Sequence, residues 1–331
     1  MSANLRRPAV LLLVAAAIGA VLALAGIGPL RGKWSALQQL AEPGWKGIRC
    51  LVDGGGEEVA LEVDGYHLTG RLHRGDPLDD QGTGRESRPP ILLVHGSYPE
   101  GKDAPFPLVL SKAFAERGHP VLALDLRGFG SSEKPRPPYT PESFAFEDDV
   151  LSGLDSLAAL TGVEVSKIVV LGHSFGGGVA LAARRRDPRI RRMALFGPPR
   201  RFEERIHGPE ARERRYFLRR LGADVGLSRP PSYEEVGSLY RRIDLTWKTE
   251  ELLGGGPLAL LLVDAERETR DDRRFLRRAA DDLGGRASYW TVSGTDHYLG
   301  TASPGPLTCW NRKVVDRFVA RTARWLDRTE G

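Results

Sequence analysis

Short runs of apolar residues alternate with longer amphipathic segments over most of the chain. A continuous apolar run predicts a strand that is buried on both faces, and the amphipathic segments predict helices that cover a parallel sheet. Strands are predicted at residues 91–95, 121–125, 167–173, 192–197, 258–264 and 287–294. A final helix is predicted at 312–328. This alternation indicates a doubly wound α/β domain.

A two-stranded unit precedes the alternation. Residues 57–65 and 66–75 alternate apolar and polar side chains around the pair Asp64 and Gly65. Because Asp-Gly tolerates the positive φ angles of a tight hairpin turn, these residues predict a β-hairpin. The polar, Gly- and Pro-rich residues 75–90 predict a loop between the hairpin and the parallel strands.

Residues 198–255 interrupt the alternation with a highly charged and mostly helical segment. Within this insertion, the stretches 214–226 and 232–243 predict two helices. The alternation then resumes, so the simplest architecture is one mostly parallel, doubly wound domain formed by 47–197 and 256–331. We expect the insertion to form a helical cap on that domain.

The N-terminus carries an uncharged apolar segment of 23 residues, from 8 to 30. As a helix, this segment is long enough to cross a hydrocarbon core of about 30 Å. We therefore predict an N-terminal transmembrane helix, with residues 1–33 as a membrane anchor and the domain outside the cytoplasm. The alternative is a signal peptide, because Ala23 and Ala25 form a small-x-small cleavage pattern, and cleavage would leave a secreted protein.

The 331-residue chain has a formal net charge of +5. Its arginines stand close to acidic residues, as in 271–282, so we interpret them as solvated helix faces. The chain has no basic stripe interleaved with aromatic residues and no nucleic-acid-binding motif, so nucleic acid is not an expected partner. The charge pattern does not indicate an oligomeric state.

The two cysteines, Cys50 and Cys309, lie far apart, and neither has the C-x-x-C spacing of a zinc or iron–sulfur site. Two free thiols are expected, and a disulfide is the alternative if the domain faces an oxidising compartment. The glycine runs 54–56 and 254–256 lack the Lys and Ser/Thr of a phosphate-binding loop. No metal ion, nucleotide or other cofactor is expected.

Residues Gly172 to Gly176 match the pattern G-x-S-x-G between a predicted strand and a predicted helix. So tight a turn forces Ser174 into a strained backbone conformation, and the glycines relieve the crowding around it. The hydroxyl then lies above the carboxyl ends of the strands, where open α/β sheets bind ligands. The Phe175 N–H, at the start of the helix, can stabilise a developing oxyanion. Ser174 is the predicted nucleophile.

A serine nucleophile needs a base, and only His207 and His297 follow Ser174 in the chain. His207 lies in the charged insertion. His297 comes directly after the last predicted strand, where a loop can bring it over the sheet. We therefore predict that His297 is the base.

A catalytic histidine also needs an acid that holds the imidazole in the correct tautomer. In folds with this turn, the acid precedes the histidine in the chain. The loop after the predicted strand 258–264 offers Asp264, Glu266 and Glu268. The residues alone do not choose among these three carboxylates.

Four motifs resemble, in order and spacing, those of the α/β-hydrolase superfamily, and the likeness covers roughly residues 58–330. They are HGS at 95–97, D-x-R-G-x-G-x-S at 125–132, the nucleophile elbow GHSFGG at 172–177 and the histidine loop GTDH at 294–297. The charged insertion falls where such hydrolases carry a lid or cap. The resemblance thus implies the α/β-hydrolase fold with a helical cap.

The resemblance also implies an oxyanion hole. In similar enzymes the second donor is the backbone N–H of the residue after HG, which is Ser97 in this chain. His95 and Gly96 form the HG motif itself and support that loop, as Gly172 and Gly176 support the elbow. Together with the N–H of the residue after the nucleophile, Ser97 would complete the hole.

The resemblance favours one acid. Laying residues 260–268 on the family pattern strand-x-G-x-x-D puts Ala265 at the glycine and Glu268 at the acid. Glu268 is therefore the first choice, although Glu replaces Asp and the glycine is missing. Some relatives take the acid from the loop after the sixth strand, which would bring in Glu203 or Glu204.

We therefore expect a serine hydrolase that cleaves carboxylic esters by two-step acyl transfer through an acyl-enzyme. The anchor and the aromatic residues of the insertion lead us to expect a small-molecule ester that is hydrophobic or lipid-like. The alternatives are another acyl-transfer enzyme of the same fold, such as a peptidase, thioesterase or acyltransferase, and a non-catalytic scaffold protein.

Overall fold

The computed structural model describes residues 48–51, 54–75, 88–199, 211–243, 256–302 and 307–328. The predicted membrane helix at 8–30 lies outside these ranges, as do Glu203, Glu204 and His207. None of the helices within them is both long enough and apolar enough to cross a membrane. The membrane anchor therefore stays a prediction from the sequence.

Most strands of the described chain are short and buried. They are β1 (Ile48–Leu51), β2 (Glu57–Val63), β3 (Tyr66–His73), β4 (Ile91–Val94), β5 (Val121–Leu124), β6 (Val169–His173), β7 (Arg192–Phe196), β8 (Ala259–Ala265), β9 (Ala287–Val292), β10 (Thr301–Ala302) and β11 (Thr308–Asn311). The α-helices are α1 (Pro105–Ala115), α2 (Phe146–Thr161), α3 (Phe175–Arg186), α4 (Ala211–Asp224), α5 (Tyr233–Ile243), α6 (Arg270–Leu283) and α7 (Arg312–Arg328). The helices α4 and α5 fall within the charged insertion.

The large sheet has eight strands in the order β2-β3-β5-β4-β6-β7-β8-β9. β3 pairs antiparallel with β2 and with β5. The remaining neighbours, from β5 to β9, pair parallel. The mostly parallel, doubly wound sheet predicted from the sequence is therefore confirmed.

The predicted hairpin is formed by β2 and β3, which pair along their full length up to Val63 opposite Tyr66. At the turn, Asp64 and Gly65 have φ angles of 51° and 75°. Both angles lie in the left-handed region, which Asp and Gly tolerate better than most residues. The hairpin joins the parallel part of the sheet because β3 also pairs with β5.

Helices cover both faces of the parallel strands. In β4, Leu92 and Val94 pack in the core that contains residues of α2 and α3. Ile91 and Leu93 pack in the opposite core, with residues of α1 and α7. All four side chains are fully buried, as expected for a strand whose successive side chains point to opposite faces of a covered sheet. The carboxyl ends of the strands lead into the loops that carry the predicted site.

A second sheet of three strands, in the order β1-β11-β10, is not predicted by the sequence pattern. Its strands have only two to four residues, which is too short for a recognisable period. Cys50 lies opposite Cys309 in this sheet, and the two residues form a disulfide. The expectation of two free thiols is therefore wrong. The pairing joins segments 259 residues apart, and only the tertiary fold brings such segments together.

The small sheet lies next to the loop that carries His297. β10 begins at Thr301, at the end of that loop. Asn311, at the end of β11, donates its backbone N–H to the carbonyl of Gly300 at 2.9 Å. The disulfide therefore fastens the first described strand to the segment that supports the histidine loop.

Removing the disulfide with the double substitution Cys50→Ser and Cys309→Ser should lower the free energy of unfolding by about 2 to 4 kcal/mol, because the bridge restricts the unfolded chain. Urea unfolding with and without a thiol reductant measures this effect. Reductant should destabilise the wild type and leave the double variant unchanged. Equal stability of the oxidised wild type and the double variant would contradict the expectation.

Candidate active site

Ser174 occupies the turn between β6 and α3, with φ 49° and ψ −122°. Residues with side chains rarely adopt these angles, so the turn is strained. The flanking glycines permit it. A Cβ at Gly172 would lie 2.7 Å from the Cα of Gly177, and a Cβ at Gly176 would collide with the backbone at the end of β4. The Ser174 N–H donates to the carbonyl of Phe196 at 2.9 Å, which ties the turn to the neighbouring strand.

The imidazole of His297 contacts the carboxylate of Glu268, with 2.5 Å between Nδ1 and Oε1. Because an ionised carboxylate only accepts hydrogen bonds, Nδ1 carries the proton and donates it to Glu268. Nε2 of the neutral ring is then unprotonated, as a general base requires. Glu268 follows β8 and His297 follows β9, so the parallel pairing of these strands brings the two loops together.

The other two carboxylates after β8 have different partners. A carboxylate oxygen of Glu266 accepts the backbone N–H of Gly294 at 2.6 Å. Asp264 is fully buried, and its Oδ1 accepts the N–H of the next residue at 3.0 Å. Neither carboxylate is hydrogen-bonded to His297 in the described part of the chain. Glu268, the first choice from the resemblance, is the carboxylate in contact with the imidazole.

The loop that carries the acid is held mainly through its backbone. The guanidinium of Arg273, on α6, donates to the carbonyl oxygens of Glu266 and Glu268. The N–H of Arg267 donates to the carbonyl of Thr295 at 3.1 Å. This last bond links the acid loop directly to the histidine loop, so the two loops support each other.

Gly197, the residue after β7, lies against the pair formed by His297 and Glu268. A Cβ at this position would lie 2.8 Å from Cε1 and 2.9 Å from Nδ1 of His297. Gly197 also has a φ of 53°, and its N–H donates to the carbonyl of Val263 at 2.9 Å. The imidazole therefore occupies space that any larger residue at 197 would fill.

Two backbone N–H groups border Ser174, those of Ser97 and Phe175. Both residues line the same cavity as Ser174. Within the ranges that the structure describes, neither N–H makes a hydrogen bond. Donors without a partner are what a developing oxyanion needs, so the roles expected for Ser97 and Phe175 stay a prediction that this arrangement permits.

His95 holds the loop that carries Ser97. Its Nδ1–H donates to the carbonyl of Gly96 at 2.6 Å, and its Nε2 accepts the N–H of Leu126 at 3.2 Å. Burial lowers the pKa of His95, which favours the neutral ring that this bonding pattern requires. The ring also packs edge-on against Phe129. His95 therefore supports the loop that carries Ser97.

The motif at 125–132 supports the same region through hydrogen bonds to a buried carboxylate. The buried carboxylate of Asp125 accepts the backbone N–H of Lys102 at 2.5 Å and its Nζ at 2.9 Å. The Thr69 hydroxyl and the Ser131 N–H add two hydrogen bonds of 3.0 Å each. A buried charge is tolerated only when it is paired and hydrogen-bonded in this way. The motif thus fixes the chain after the HG loop without lining the cavity.

The candidate site opens into a cavity of about 220 Å³ between the sheet and the charged insertion. Ser174 and His297 line it from the sheet side. The residues contributed by α4 and α5 are Tyr216, Phe217, Arg220, Leu221, Asp224 and Tyr240. Across the described ranges, no three His, Cys, Asp or Glu side chains are arranged to hold a metal ion. The two helices of the insertion thus form the wall opposite the nucleophile.

An ion pair lies in this wall. Nε of Arg220 is 3.2 Å from Oδ2 of Asp224, and its Nη1 donates to the Tyr216 hydroxyl at 3.4 Å. The bond to Tyr216 raises the pKa of Arg220, so the guanidinium stays charged. Burial raises the pKa of Asp224 despite the nearby cation. The cavity wall therefore combines aromatic surface with an ion pair of Arg220 and Asp224.

The described residues show no hydrogen bond between the Ser174 hydroxyl and the imidazole of His297, although both line the cavity. Catalytic hydrogen bonds are often long in the absence of substrate and tighten when it binds.

The topology and the elbow agree with the family described as the alpha/beta hydrolase fold, which matches residues 89–220. The chain has the α/β-hydrolase fold. A hypothetical protein from Pseudomonas aeruginosa has a similar structure, with a TM-score of 0.57, 18% sequence identity, and coverage of 85% of this chain and 94% of that one. At this identity the likeness shows the fold alone.

Two curated relatives of this chain are bacterial hydrolases. The 2-hydroxymuconate semialdehyde hydrolase of Pseudomonas putida is 37% identical over 121 residues, which cover 36% of this chain and 38% of that protein. The 2-hydroxy-6-oxo-2,4-heptadienoate hydrolase of Pseudomonas putida strain F1 is 34% identical over 141 residues, which cover 42% of this chain and 46% of that protein. The matched segment thus spans less than half the length of either relative.

The sequence analysis gives no role to four residues of the candidate site: Tyr98, His173, Gly197 and Arg220. Tyr98 directly follows and His173 directly precedes a predicted site residue, and Gly197 is the last residue of a predicted strand. Their positions at or next to predicted site residues and strand ends are the sequence signals by which these three residues could be found. Arg220 stands among arginines that were all interpreted as solvated, and only the packing of α4 shows which one reaches the cavity.

The substitution Gly197→Ala should slow labelling of Ser174 by a fluorophosphonate probe about 10-fold to 100-fold, because a displaced base no longer activates the hydroxyl. The labelling rate constant, measured at several probe concentrations, checks this. Gly285→Ala is the matched control, since a Cβ at Gly285 meets no atom within 4 Å. Equal rates for the Gly197→Ala variant and the wild type would refute the tight fit inferred at this position.

Proposed function

We propose that this α/β-hydrolase is a serine hydrolase in which Ser174 is the nucleophile, His297 the base and Glu268 the acid. The observation that carries the proposal is the 2.5 Å contact between His297 and Glu268. This contact leaves Nε2 of the imidazole ready to accept a proton in the cavity that also holds the strained Ser174 turn. The hydrolase names of the two curated relatives support the same class of reaction.

In the proposed reaction, the hydroxyl proton of Ser174 passes to Nε2 of His297 while Oγ forms a bond to the carbonyl carbon of the substrate. The π electrons of the carbonyl move onto its oxygen, to which the N–H groups of Ser97 and Phe175 donate. Glu268 stabilises the imidazolium formed in this step. Collapse of the tetrahedral intermediate expels the leaving group, which takes the proton from Nε2, and an acyl-enzyme remains.

The second half of the reaction regenerates the enzyme. A water molecule attacks the acyl carbon while His297 accepts its proton, and a second tetrahedral intermediate forms in the same oxyanion hole. When this intermediate collapses, the proton returns from His297 to Oγ of Ser174. The carboxylic acid product then leaves through the cavity.

The cavity favours a small ester. Its volume of about 220 Å³ is below the range of roughly 300 to 1,000 Å³ that is common for drug-sized ligands. A short acyl chain fits this space between the aromatic residues of α4 and the elbow. We therefore propose short-chain carboxylic esters as the substrate class, in place of the lipid-like ester expected from the N-terminal segment.

A second candidate is hydrolysis of an oxo-acid. The two relatives are named for 2-hydroxymuconate semialdehyde and 2-hydroxy-6-oxo-2,4-heptadienoate, which carry both a carbonyl group and a carboxylate. In this chain, Arg220 places a guanidinium in the cavity wall, and a guanidinium suits a carboxylate. In this candidate reaction, Ser174 would attack the carbonyl carbon, the carbon–carbon bond next to it would break, and the carbon leaving group would take the proton from Nε2 of His297.

We further propose that the hydrolase domain acts outside the cytoplasm, either tethered by its N-terminal segment or secreted after cleavage. The Cys50–Cys309 disulfide supports an oxidising compartment. The apolar segment 8–30 supports a membrane or secretory route. Protease added to intact spheroplasts tests this location. A tethered domain outside the cytoplasm should be digested, and a domain inside the cytoplasm should be protected.

Labelling by a fluorophosphonate probe tests the proposed triad. Ser174→Ala should abolish labelling. Glu268→Gln should slow labelling by about 100-fold or more, because a triad acid orients the base and stabilises its protonated form. Glu266→Gln is the matched control, because it changes a carboxylate of the same loop that does not contact His297. Absence of labelling in the folded wild type, or equal losses in the two Glu→Gln variants, would refute the assignment.

The values of kcat/KM for defined substrates separate the two candidate reactions. For short-chain esters we expect kcat/KM to exceed that for a dodecanoate ester of the same alcohol by about tenfold or more, because the longer chain exceeds the cavity volume. Turnover of 2-hydroxy-6-oxo-2,4-heptadienoate with a higher kcat/KM than any short-chain ester would favour the second candidate.

Arg220→Gln refines this comparison. If a substrate carboxylate binds at Arg220, the variant should lose about 10-fold to 100-fold in kcat/KM for the oxo-acid, the scale of a hydrogen bond between charged groups, and little for a neutral ester. Arg219→Gln, on the exposed side of the same helix, is the matched control. Equal effects of the two variants would exclude a specific role for Arg220.

A further inference from the structure

His173, the last residue of β6, lies at the centre of the site although it is not part of the proposed triad. Its side chain is fully buried and stacks on the ring of Phe106, with 3.9 Å between the ring centroids. Its Nε2 lies 2.8 Å from the backbone carbonyl oxygen of His297. Its Nδ1 lies 2.9 Å from the hydroxyl of Tyr98. Both ring nitrogens are therefore hydrogen-bonded.

These two contacts fix the tautomer of the ring. Because a carbonyl oxygen only accepts hydrogen bonds, Nε2 of His173 carries a proton. Burial, with a smaller effect from the nearby His297, lowers the pKa of His173 well below 6.5, so the ring is neutral and Nδ1 is unprotonated. The Tyr98 hydroxyl therefore donates to Nδ1. The donors run in one direction, from Tyr98 through His173 to the carbonyl of His297.

Each member of this chain of hydrogen bonds belongs to one of the proposed catalytic segments. Tyr98 directly follows Ser97, the proposed oxyanion donor, and His173 directly precedes Ser174, the proposed nucleophile. The final acceptor is the backbone of His297, the proposed base. Two hydrogen bonds thus connect three segments that come from different parts of the chain.

The packing around His173 leaves little room for other arrangements. A Cβ at Gly96 would lie 3.0 Å from Nδ1 of His173 and 3.2 Å from Cβ of Ser174, so the backbone of the HG loop packs directly against the ring. Phe106 covers the ring from α1, and Phe196 of β7 lies beside it, with 5.6 Å between ring centroids. A ring packed between these groups has few alternative positions, so it fixes the groups that are hydrogen-bonded to it.

We propose that Tyr98 and His173 are positioning residues that set the distances between the oxyanion donor, the nucleophile and the base. This inference rests on the proposed function. His173 holds the backbone of His297, and Glu268 holds its Nδ1. With these two points fixed, the imidazole has one orientation, in which Nε2 faces the cavity next to Ser174.

Rates of labelling by the fluorophosphonate probe test this proposal. Tyr98→Phe keeps the ring and removes the donor, so labelling should slow about fivefold to tenfold, the effect of one hydrogen bond. His173→Leu removes both bonds and should slow labelling about 100-fold, as expected for a misplaced catalytic group. His173→Gln can still donate to the His297 carbonyl and should recover a rate within about tenfold of the wild type.

Two further variants separate positioning from general destabilisation. Tyr289→Phe is the matched control, because it removes a hydroxyl bonded to Thr291 at 2.9 Å outside the cavity, and its labelling rate should equal that of the wild type. In the Glu268→Gln background, the effect of Tyr98→Phe should shrink, because both substitutions loosen the same imidazole. Equal effects of Tyr98→Phe in the two backgrounds would overturn the proposal.

Nitrogen-15 NMR of the histidine side chains gives a readout that does not depend on labelling. The signals that disappear in His173→Gln belong to His173, and they should show a neutral ring protonated at Nε2 at pH 6. A ring protonated at Nδ1, or one that titrates near the ordinary histidine pKa of about 6.5, would overturn the proposal.

The failure of the proposed function is distinguishable from the failure of this inference. If the folded wild type is not labelled at all, the proposed function fails. If the wild type is labelled, and both Tyr98→Phe and His173→Leu are labelled at the wild-type rate, the positioning role alone fails. Tyr98→Phe removes a single oxygen atom, so the test remains valid even if His173→Leu does not fold.

Discussion

Close approach of the backbone at the carboxyl edge of the sheet is the constraint on which the candidate site depends. Neighbouring strands lie only about 4.8 Å apart, so the loops that leave β4, β6 and β7 begin crowded. Glycine occupies four positions where a Cβ would crowd nearby atoms: Gly96 in the HG loop, Gly172 and Gly176 around the elbow, and Gly197 beside the imidazole. The loops at this edge can therefore pack closely enough to place a serine, a histidine and unbonded N–H groups in the wall of one cavity.

Buried ion pairs fix the paths of loops that the pairing of the strands does not determine. Arg127 donates to the carboxylate of Asp149 through its backbone N–H at 2.8 Å and through two guanidinium nitrogens at 2.8 and 2.6 Å. Asp125 and Lys102 form a second such pair. A buried pair adds little net stability, because desolvation offsets the attraction, but losing one partner costs about 3 to 5 kcal/mol. The D-x-R-G motif therefore specifies one loop path, although it lies away from the cavity.

Local patterns in the sequence predict the parallel strands, the hairpin and the strained turn at Ser174, because each depends on neighbouring residues. The choice of acid is different. Three carboxylates stand within five residues, and the one that reaches His297 depends on a loop path set by Arg273 and by the bond to Thr295. The disulfide and the small sheet depend on pairing between the two ends of the domain, for which no local period exists. The sequence thus predicts the elements, whereas contacts between distant loops decide the details of the site.

The histidine loop needs the most support of the three segments, because it follows β9, which is the edge strand of the large sheet and has a neighbour on one side only. Three parts of the structure supply that support through four hydrogen bonds. The acid loop holds the imidazole and the carbonyl of Thr295, His173 holds the carbonyl of His297, and the small sheet holds the carbonyl of Gly300. The disulfide joins two strands of that small sheet. The disulfide therefore stabilises the small sheet, which in turn holds the end of the loop that carries His297.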